Sequence, residues 1–167
     1  MRWCISHRAD AHALPLADAH YNRQKPGTPQ FVPPGRCLVL LTRMATALWV
    51  TSWPFAEFTQ LAWAGAWVNS TFRNERCDLH LSSDLILEAV SATRAHFGDP
   101  PPLGMVTFVN PKKIRAKRDP GRCYLRAGFR RVGETQGGLL AFQMLPVEMP
   151  PASPAIGCAL PLFGVAS

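Results

Sequence analysis

Polar side chains stand at the ends of otherwise apolar segments in three parts of this chain. His20 and Tyr21 come directly before a proline- and glycine-rich loop, and Asn110 follows the apolar segment 104–109. A neutral imidazole in such a position suits general-base chemistry, and an asparagine amide can read a nucleobase edge or orient a donor group. The alternatives are a surface histidine and an asparagine that caps a strand end before proline.

The third polar group, segment 69–75, follows the apolar start of a predicted strand. It contains two amides, a guanidinium and a carboxylate, from Asn69, Asn74, Arg73 and Glu75. Polar side chains crowded where a sheet opens are typical of a binding site. We therefore predict that Asn69 and Asn74 bind substrate and that Arg73 binds a cofactor.

The segment 110–131 carries nine basic residues and one acidic residue, so its formal charge is +8 while that of the whole chain is +7. The basic residues are Lys112, Lys113, Arg115, Lys117, Arg118, Arg122, Arg126, Arg130 and Arg131. A run of like charge is most often a solvated surface. The alternative is a surface that binds a polyanion. In that interpretation the first six residues of the run contact the polyanion.

The elements that must position these side chains alternate between strands and helices. Strands are predicted at 2–7, 36–42, 47–53, 66–74, 104–111 and 137–145, and helices at 14–21, 82–97 and 120–129. The second and third strands are rich in β-branched and aromatic residues and are separated by a short connection, which predicts a hairpin. This order predicts an α/β or α+β fold with a central mixed sheet flanked by helices.

The segment 82–97 has the clearest helical pattern in the chain. Its apolar residues recur on one helical face: Leu85, Ile86, Ala89, Val90 and Phe97. We expect Ser82 or Ser83 to cap the first turn and Asp84 to complement the helix dipole. Gly98 and the prolines after it are expected to end the helix.

The length and composition indicate one globular domain. The chain has 167 residues, of which 47% are hydrophobic and 17% charged. We place the domain at 1–146 and treat 147–167 as a proline-rich tail that is loosely packed or covers a sheet edge or a partner chain. No apolar signal segment or span of about 20 apolar residues is visible. Five cysteines without a C-x-x-C pair favour reduced thiols and a cytoplasmic protein.

Aromatic residues are concentrated between positions 49 and 67. They are Trp49, Trp53, Phe55, Phe58, Trp63 and Trp67. Most are predicted to be core residues, because large aromatic side chains usually are. One or two in the loop 54–64 are candidates to stack on a base turned out of a duplex.

Several blocks of the sequence resemble known families. The element order is that of the GCN5-related N-acetyltransferase fold, and "CYLRAGFRRVGET" is similar to the segment in which a tyrosine-bearing helix leads through "GF" into a closing strand. The blocks "HYNRQKPGTPQF", "GAWVNSTFRNE", "LSSDLILEAV", "GMVTFVNPKKIRAKRDPGRCYLRAGFRRVGET" and "GGLLAFQMLP" together resemble the phage Mom-type DNA adenine-modification proteins. The resemblance covers roughly residues 1–146.

This resemblance implies a transferase that adds an acetamido or carbamoylmethyl group to adenine N6 in phage DNA and protects that DNA from restriction. The candidate catalytic residues are His20, Tyr21, Ser82, Asn110 and Tyr124. Tyr124 is implied as an acid near the leaving thiol of a donor. The candidate cofactor-binding residues are Arg73, Ser82, Ser83 and Tyr124. The implied partner is double-stranded DNA, with the first six basic residues of segment 110–131 on its phosphates, and access to a base in the duplex requires that the base be flipped out.

The donor stays open at this stage. Acetyltransferases carry a Q/R-x-x-G-x-G/A turn before the long helix, and its amides cradle the coenzyme A pyrophosphate. The equivalent segment here, "RNERCDLHLSSD", has no glycine. The candidates are acetyl-CoA or another acyl or aminoacyl donor, and the resemblance also implies a metal ion such as iron. Simple acyl transfer would not form an N6–CH2 bond.

Other functions are weighed against this one. A non-catalytic DNA-binding protein with a degenerate acetyltransferase fold is one alternative, and an N-acetyltransferase acting on a small molecule or a protein is another. A homodimer is left open. Zinc deaminases need H-x-E and P-C-x-x-C motifs, which this sequence lacks. Amino-methyltransferases need an aromatic residue after Asp/Asn-Pro-Pro, which "DPPP" at 99–102 does not supply.

Overall fold

The computed structural model describes residues 1–23, 25–32, 34–54, 62–113 and 119–157. Its strands are β1 (Trp3–Ser6), β2 (Arg36–Thr42), β3 (Ala47–Trp53), β4 (Trp67–Asn74), β5 (Met105–Val109), β6 (Arg130–Glu134) and β7 (Leu140–Met144). Its α-helices are α1 (Leu14–Asp18), α2 (Ser82–Phe97) and α3 (Arg122–Arg126), with short 3-10 turns at Pro111–Lys113 and Pro146–Glu148. None of the helices in these ranges is long and apolar enough to cross a bilayer.

The strands form one mixed sheet in the order β1-β2-β3-β4-β5-β7-β6. β4 and β5 run parallel, and the other neighbouring strands run antiparallel. The predicted mixed α+β class is therefore confirmed. The sequence pattern does not predict β6, because four of its five residues are exposed and no apolar alternation marks it.

The predicted bounds agree best where apolar residues define the element. The strands predicted at 36–42 and 47–53 have the bounds of β2 and β3, and they pair as the expected hairpin. The helix predicted at 120–129 is longer than α3. Gly121 takes a left-handed conformation with φ of +78°, so the helix begins only after it.

Helix α2 has the predicted bounds, and Gly98 with φ of +86° follows its last residue. The predicted serine cap is wrong. The N-cap residue is Leu81, and no side chain caps the first turn. An N-cap residue needs an extended backbone, and Ser82 and Ser83 are already helical. The Ser82 hydroxyl instead accepts a hydrogen bond from Nδ2 of Asn74 at 3.2 Å.

Alternate residues of the hairpin build a core on each face of the sheet, as the two-residue period of a strand requires. Leu38 and Leu40 belong to the larger core under α2 and α3. Val39 and Leu41 belong to the smaller core under α1. The sheet therefore carries a core and at least one helix on each face.

The aromatic residues fall mostly in the larger core. Trp49 and Trp67 have no exposed surface, which confirms the prediction for these two residues. Trp63 is half-buried. Phe55 and Phe58, which were candidates for base stacking, lie outside the described residues.

The described part of the tail crosses α2 and ends beside β1, an edge strand of the sheet. Arg94 of α2 donates to the carbonyl of Pro150 at 2.8 Å. The amide of Ile156 donates to the carbonyl of Trp3, and its carbonyl accepts from the amide of Ile5, both at 2.9 Å. The expectation that the tail covers a sheet edge is confirmed for these residues.

Candidate functional site

Predicted site residues from distant parts of the sequence line one cleft of about 130 Å³, which we call the inner cleft. Its walls come from residues 20–22, the middle of β4, the end of β5 and the start of α3. His20, Tyr21, Asn69 and Tyr124 are among them. The fold thus brings four predicted residues together from positions more than one hundred residues apart.

The inner cleft exists because β4 separates from β5 partway along its length. β4 pairs with β5 only through Trp67, Val68 and Asn69, while the rest of β4 stays paired with β3. A β-bulge at Ser70 shifts the register between β4 and β3 at this point. Bulges bend a strand, so the space opens where the two parallel strands stop pairing.

Helix α3 forms one side of the inner cleft, and its approach depends on Gly121. A Cβ atom at this position would lie 2.2 Å from the ring of Phe142. Glycine alone fits both this contact and the left-handed backbone. Tyr124 follows in α3 and packs between Phe72 and Phe129, with ring centroids 6.3 and 5.4 Å away.

A buried hydrogen-bond network joins Tyr124 to the sheet. The Tyr124 hydroxyl donates to Oδ1 of Asn69 at 2.6 Å. The Thr107 hydroxyl lies 3.1 Å from the main-chain oxygen of Asn69 and 3.3 Å from Oδ1. Asn69 is 3% exposed and Tyr124 is 7% exposed. Burial raises the pKa of Tyr124 well above its usual value, so the phenol is protonated at neutral pH.

His20 lies at the junction of α1 and the loop that follows it. Burial, together with the nearby charge of Arg73, lowers the pKa of His20 to about 4, so its ring is neutral at pH 7. The backbone amide of Asn22 donates to Nδ1 at 3.2 Å. Nδ1 must therefore accept, and the neutral ring carries its proton on Nε2.

This tautomer changes the chemistry expected of His20. The residue is neutral, as the sequence analysis expects, but Nδ1 is occupied and Nε2 carries a hydrogen. His20 is therefore arranged to donate a hydrogen bond rather than to remove a proton. Its ring stacks on Tyr21 with a centroid separation of 4.5 Å, which fixes the plane of the imidazole.

Tyr21 connects this junction to the start of the basic segment. Its hydroxyl accepts a hydrogen bond from the amide of Asn110 at 3.3 Å. Oδ1 of Asn110 accepts from the amide of Lys112 at 3.0 Å, which is the local turn of the capping alternative. Asn110 therefore positions the basic segment beside Tyr21, and its side-chain oxygen is already bonded.

The inner cleft is uncharged near neutral pH. No Asp, Glu, Lys or Arg occurs among the described residues that line it. Burial raises the pKa of the Cys123 thiol to about 11, so this residue is not a thiolate. The polar groups of the cleft are therefore a neutral imidazole, phenols, amides, hydroxyls and a thiol.

A larger outer groove of about 550 Å³ adjoins the inner cleft. The two share His20, Asn22, Ser70 and Thr71. The remaining wall of the outer groove comes from Ala17 of α1 and from residues 23, 25, 28 and 30–32. A ligand in the outer groove can therefore extend into the inner cleft past His20.

The loop that walls the outer groove is held by Arg23. Its guanidinium donates to Asp18 at 2.6 Å and to the main-chain oxygens of Thr28 and Gln30 at 2.6 and 3.0 Å. Asp18 also accepts from the amide of Gly27 at 2.9 Å. This arrangement fixes the loop before any ligand binds.

Basic side chains flank the inner cleft. Lys112, Lys113 and Arg122 are exposed and have no ion-pair partner among the described residues, and we call them the basic surface. The first two adjoin Asn110, and Arg122 lies between Gly121 and Cys123 of the cleft wall. The predicted contacts Arg115, Lys117 and Arg118 lie outside the described residues.

Two other basic residues of the segment 110–131 already form ion pairs with acidic residues. Arg130 is paired with Glu148, and Arg131 contacts Glu134 at 2.6 Å. Ion pairing leaves these guanidinium groups less available for phosphate than the basic surface. The run of charge in the sequence thus divides into a paired part and an unpaired part.

Apart from the predicted DNA contacts of the basic segment, five predicted residues line neither cavity in the described structure: Arg73, Asn74, Ser82, Ser83 and Asn110. Arg73 pairs with Glu75 and donates to the carbonyl of Ala19 at 3.2 Å. Asn74 donates to the carbonyl of His80 at 2.9 Å. These side chains organise the connection from β4 to α2.

Thr107 and Ser70 belong to the cleft and are missed by the sequence analysis. Thr107 is the one polar residue in the apolar strand "MVTFV", and that signal could have identified it. A bulge such as that at Ser70 depends on pairing with another strand. No local pattern in "WVNSTFRN" indicates it.

The metal ion that the resemblance implies does not fit the described residues. They contain no group of three or more His, Cys, Asp and Glu side chains arranged to hold a metal. In the inner cleft Nδ1 of His20 already accepts a hydrogen bond, and Cys123 is a protonated thiol. We therefore assign no step to a metal.

Comparisons with protein-family models, with curated proteins and with solved structures give no match. The functional interpretation therefore depends on the geometry of the site and on the sequence resemblance.

Proposed function

We propose that this protein is a transferase that adds an acetamido- or carbamoylmethyl-type group to adenine N6 in DNA, on a fold of the GCN5-related N-acetyltransferase type. In a phage, this modification would protect the genome from restriction. One observation carries the proposal: the inner cleft, lined by His20, Tyr21, Asn69 and Tyr124, is uncharged and lies beside the exposed basic surface.

The fold type is supported by the order of the elements and by α3. Tyr124 in α3 lines the inner cleft, and the chain then passes through Gly128 and Phe129 into β6. This is the arrangement of the acetyltransferase segment that the sequence resembles. Fold resemblance alone does not set the substrate, which depends on the groups that line the cleft.

Adenine N6 is a weak nucleophile because its lone pair is delocalised into the ring. In the proposed reaction N6 forms a bond to an electrophilic carbon of the donor, the leaving group departs with the bonding electrons, and N6 loses a proton. The protein must hold both reactants and stabilise the charge that develops. An uncharged, partly enclosed cleft strengthens hydrogen bonds to the reacting groups.

His20 is the group best arranged to stabilise developing negative charge. Its Nε2–H can donate to an oxygen of the donor group, while Nδ1 is held by the amide of Asn22. Stacking on Tyr21 holds the ring in place. Since no carboxylate lines the described cleft, we propose that the proton of N6 leaves to water or with the leaving group.

The two cavities and the basic surface match the requirements of a DNA substrate. A target base must leave the duplex, which costs a few kcal/mol. The outer groove, at about 550 Å³, is in the range of cavities that hold small organic ligands. We propose that the extruded nucleotide enters through it while Lys112, Lys113 and Arg122 contact phosphates.

For the donor we propose acetyl-CoA or another acyl or aminoacyl compound. An acyl donor would bond its carbonyl carbon to N6 and release its leaving group, which gives the acetamido product. The carbamoylmethyl product, with its N6–CH2 bond, would instead require a donor whose leaving group is on a methylene carbon. Arg73, Ser82 and Ser83 stand at the carboxyl end of β4 and the start of α2, where they would contact its anionic part. The glycine-free connection between these elements is held by Asn74. This differs from the glycine-built cradle of acetyltransferases.

Mass spectrometry of nucleosides tests the proposal. DNA from cells that express the wild-type chain should contain a new adenine adduct whose fragments place the added group on N6. The double variant His20→Ala/Tyr124→Phe should lose most of it, and Gln136→Ala, in an exposed turn, should not. Unmodified adenine in cells that contain folded wild-type protein would overturn the proposal.

A second function is favoured by one observation. The described inner cleft has no carboxylate and no free imidazole nitrogen to accept a proton. A non-catalytic DNA-binding protein would need neither. In that case purified protein would bind DNA with strong salt dependence, and the nucleoside analysis would show no adduct.

A further inference from the structure

The side chain of Asn69 has a fixed orientation. Its Nδ2 group donates to the carbonyl oxygens of Val50 and Thr71 at 3.0 and 2.9 Å. Carbonyl oxygens only accept hydrogen bonds, so the amino end of the amide must face them. Turning the amide over would place Oδ1 against both carbonyl oxygens, so that three acceptors would face one another without a donor in a buried site.

The orientation of Asn69 determines that of Tyr124. Oδ1 of Asn69 faces the Tyr124 hydroxyl at 2.6 Å, and an amide oxygen can only accept. A phenol has one proton, so this proton is directed to Asn69. Because Tyr124 also lines the inner cleft, the oxygen lone pairs that remain are what its hydroxyl can offer to a ligand.

Asn69 also holds the bulge that opens the cleft. Val50 and Thr71 are paired residues next to the register shift at Ser70, and their carbonyls are the two acceptors of Nδ2. One amide therefore fixes both the shape of β4 and the direction of the Tyr124 proton. Few other residues could do both, since the position needs two donors and an acceptor.

We propose that Asn69 is a positioning residue that makes Tyr124 a hydrogen-bond acceptor for an N–H group of the ligand in the inner cleft. Tyr124 is then not the acid that protonates a leaving group. The role in turnover rests on the proposed function, whereas the direction of the Tyr124 proton does not. The two parts are tested separately.

The proton direction is tested by NMR. The chain has two tyrosines, so Tyr124 is the only one in Tyr21→Phe. Its hydroxyl proton should exchange slowly with water and show nuclear Overhauser contacts to the side chains of Asn69 and Thr107. The Nδ2 protons of Asn69 should be protected as well. A hydroxyl proton that exchanges rapidly in the folded protein, or unprotected Nδ2 protons, would overturn the inference without any need for an Asn69 variant.

The positioning role is tested by a double-mutant cycle on adduct formation. Tyr124→Phe should lower the rate about tenfold, the size of one lost hydrogen bond. Asn69→Ala should cost more than Tyr124→Phe in the wild-type background, because it also removes the donors that hold the bulge. The part of its loss that acts through Tyr124, about tenfold, should vanish in Tyr124→Phe. Asn74→Ala, outside the cleft, should instead combine multiplicatively with Tyr124→Phe.

The outcomes separate the two proposals. Multiplicative losses for Asn69→Ala and Tyr124→Phe would show a merely structural role for Asn69 and overturn the positioning inference. If Asn69→Ala does not fold, Asn69→Ser, which also removes the amide but keeps a polar side chain, takes its place in the cycle. If wild-type protein forms no adduct, the proposed function fails, and the NMR measurement still decides the orientation of Tyr124.

Discussion

The inner cleft and the basic surface lie side by side and are built in opposite ways. The cleft is uncharged, and its central amide, Asn69, has every hydrogen-bonding group paired. The basic surface is exposed, and Lys112, Lys113 and Arg122 have no ion-pair partner among the described residues. The first arrangement suits fixed geometry, and the second suits long-range attraction of an anion.

This difference suggests a division of tasks. Charged side chains in water attract phosphate without fixing a geometry, and their effect falls with salt. Neutral hydrogen-bonding groups in a buried site act over short distances and depend on exact placement, which is why the cleft needs a bulge, a close-packed glycine and a saturated amide. Changes in the cleft should therefore affect folding and chemistry, and changes at the surface should affect affinity.

The largest expected effect is that of Gly121→Ala. The new Cβ would meet the ring of Phe142 at 2.2 Å, and the left-handed backbone is strained for alanine. We expect a loss of about 4 kcal/mol in the free energy of unfolding, from overpacking and strain together. Urea unfolding measures it.

Gly138→Ala is the matched control for this change. Gly138 has φ of +77° but nothing within 4 Å of its Cβ position. Alanine at this position would have the strained left-handed backbone but no close contact with another residue. We therefore expect the free energy of unfolding to fall by about 1 kcal/mol. Equal losses at the two positions would show that contact with Phe142 does not position α3.

The next effect is a loss of stability in acid that depends on His20. Burial lowers the pKa of His20 in the folded protein to about 4, below its usual value of 6.5. As pH falls from 6.5 to 4, the unfolded chain takes up a proton that the folded ring does not, so stability falls through this window and levels off below it. We expect about 2 kcal/mol, reduced from the full linkage because the ring is only half-buried. His20→Gln should lose less stability than wild type over this window, and parallel curves would show that burial of His20 is unimportant.

Charge reversal at the basic surface should leave the fold intact and weaken DNA binding. Lys112→Glu/Lys113→Glu is expected to lower the affinity for duplex DNA about tenfold at low salt and to reduce the salt dependence. Arg130→Glu/Arg131→Glu changes the net charge equally at residues that are already paired. If both double variants lose the same affinity, total charge matters and the basic surface does not.

The smallest expected effect is a change in the pKa of His20 when the neighbouring Arg73 is replaced. Arg73 contributes to the lowered pKa of His20 through its positive charge. Arg73→Gln should therefore raise that pKa slightly, since burial remains the larger cause. An NMR titration of the imidazole measures the shift. Arg76→Gln, at an arginine paired with Asp78, should leave it unchanged.

The elements with a strong local pattern could be predicted from the sequence. The apolar face of α2 gives its bounds, and the apolar strands β2 and β3 give theirs. The basic segment 110–131 could be recognised from its amino-acid composition. Strand β6 could not be predicted, because an exposed edge strand has little apolar surface to bury and its sequence therefore shows no apolar–polar alternation.

The cleft could be predicted only in part. His20, Tyr21, Asn69 and Tyr124 were identifiable from residue type and resemblance, but their contacts were not. The bond between Asn69 and Tyr124 joins residues 55 positions apart. Likewise the tautomer of His20 depends on the conformation of the Asn22 amide. Such details are set by pairing and packing over long sequence distances.

The most direct test of the division of tasks compares one variant of each region at two expression levels. The adenine adduct would be quantified by nucleoside mass spectrometry for wild type, for His20→Ala/Tyr124→Phe and for Lys112→Glu/Lys113→Glu. At low expression both variants should form little adduct. At high expression the surface variant should recover, because more protein offsets weaker binding, and the cleft variant should not. Recovery of the cleft variant alone, or a folded wild-type protein that never modifies adenine, would contradict the division of tasks proposed here.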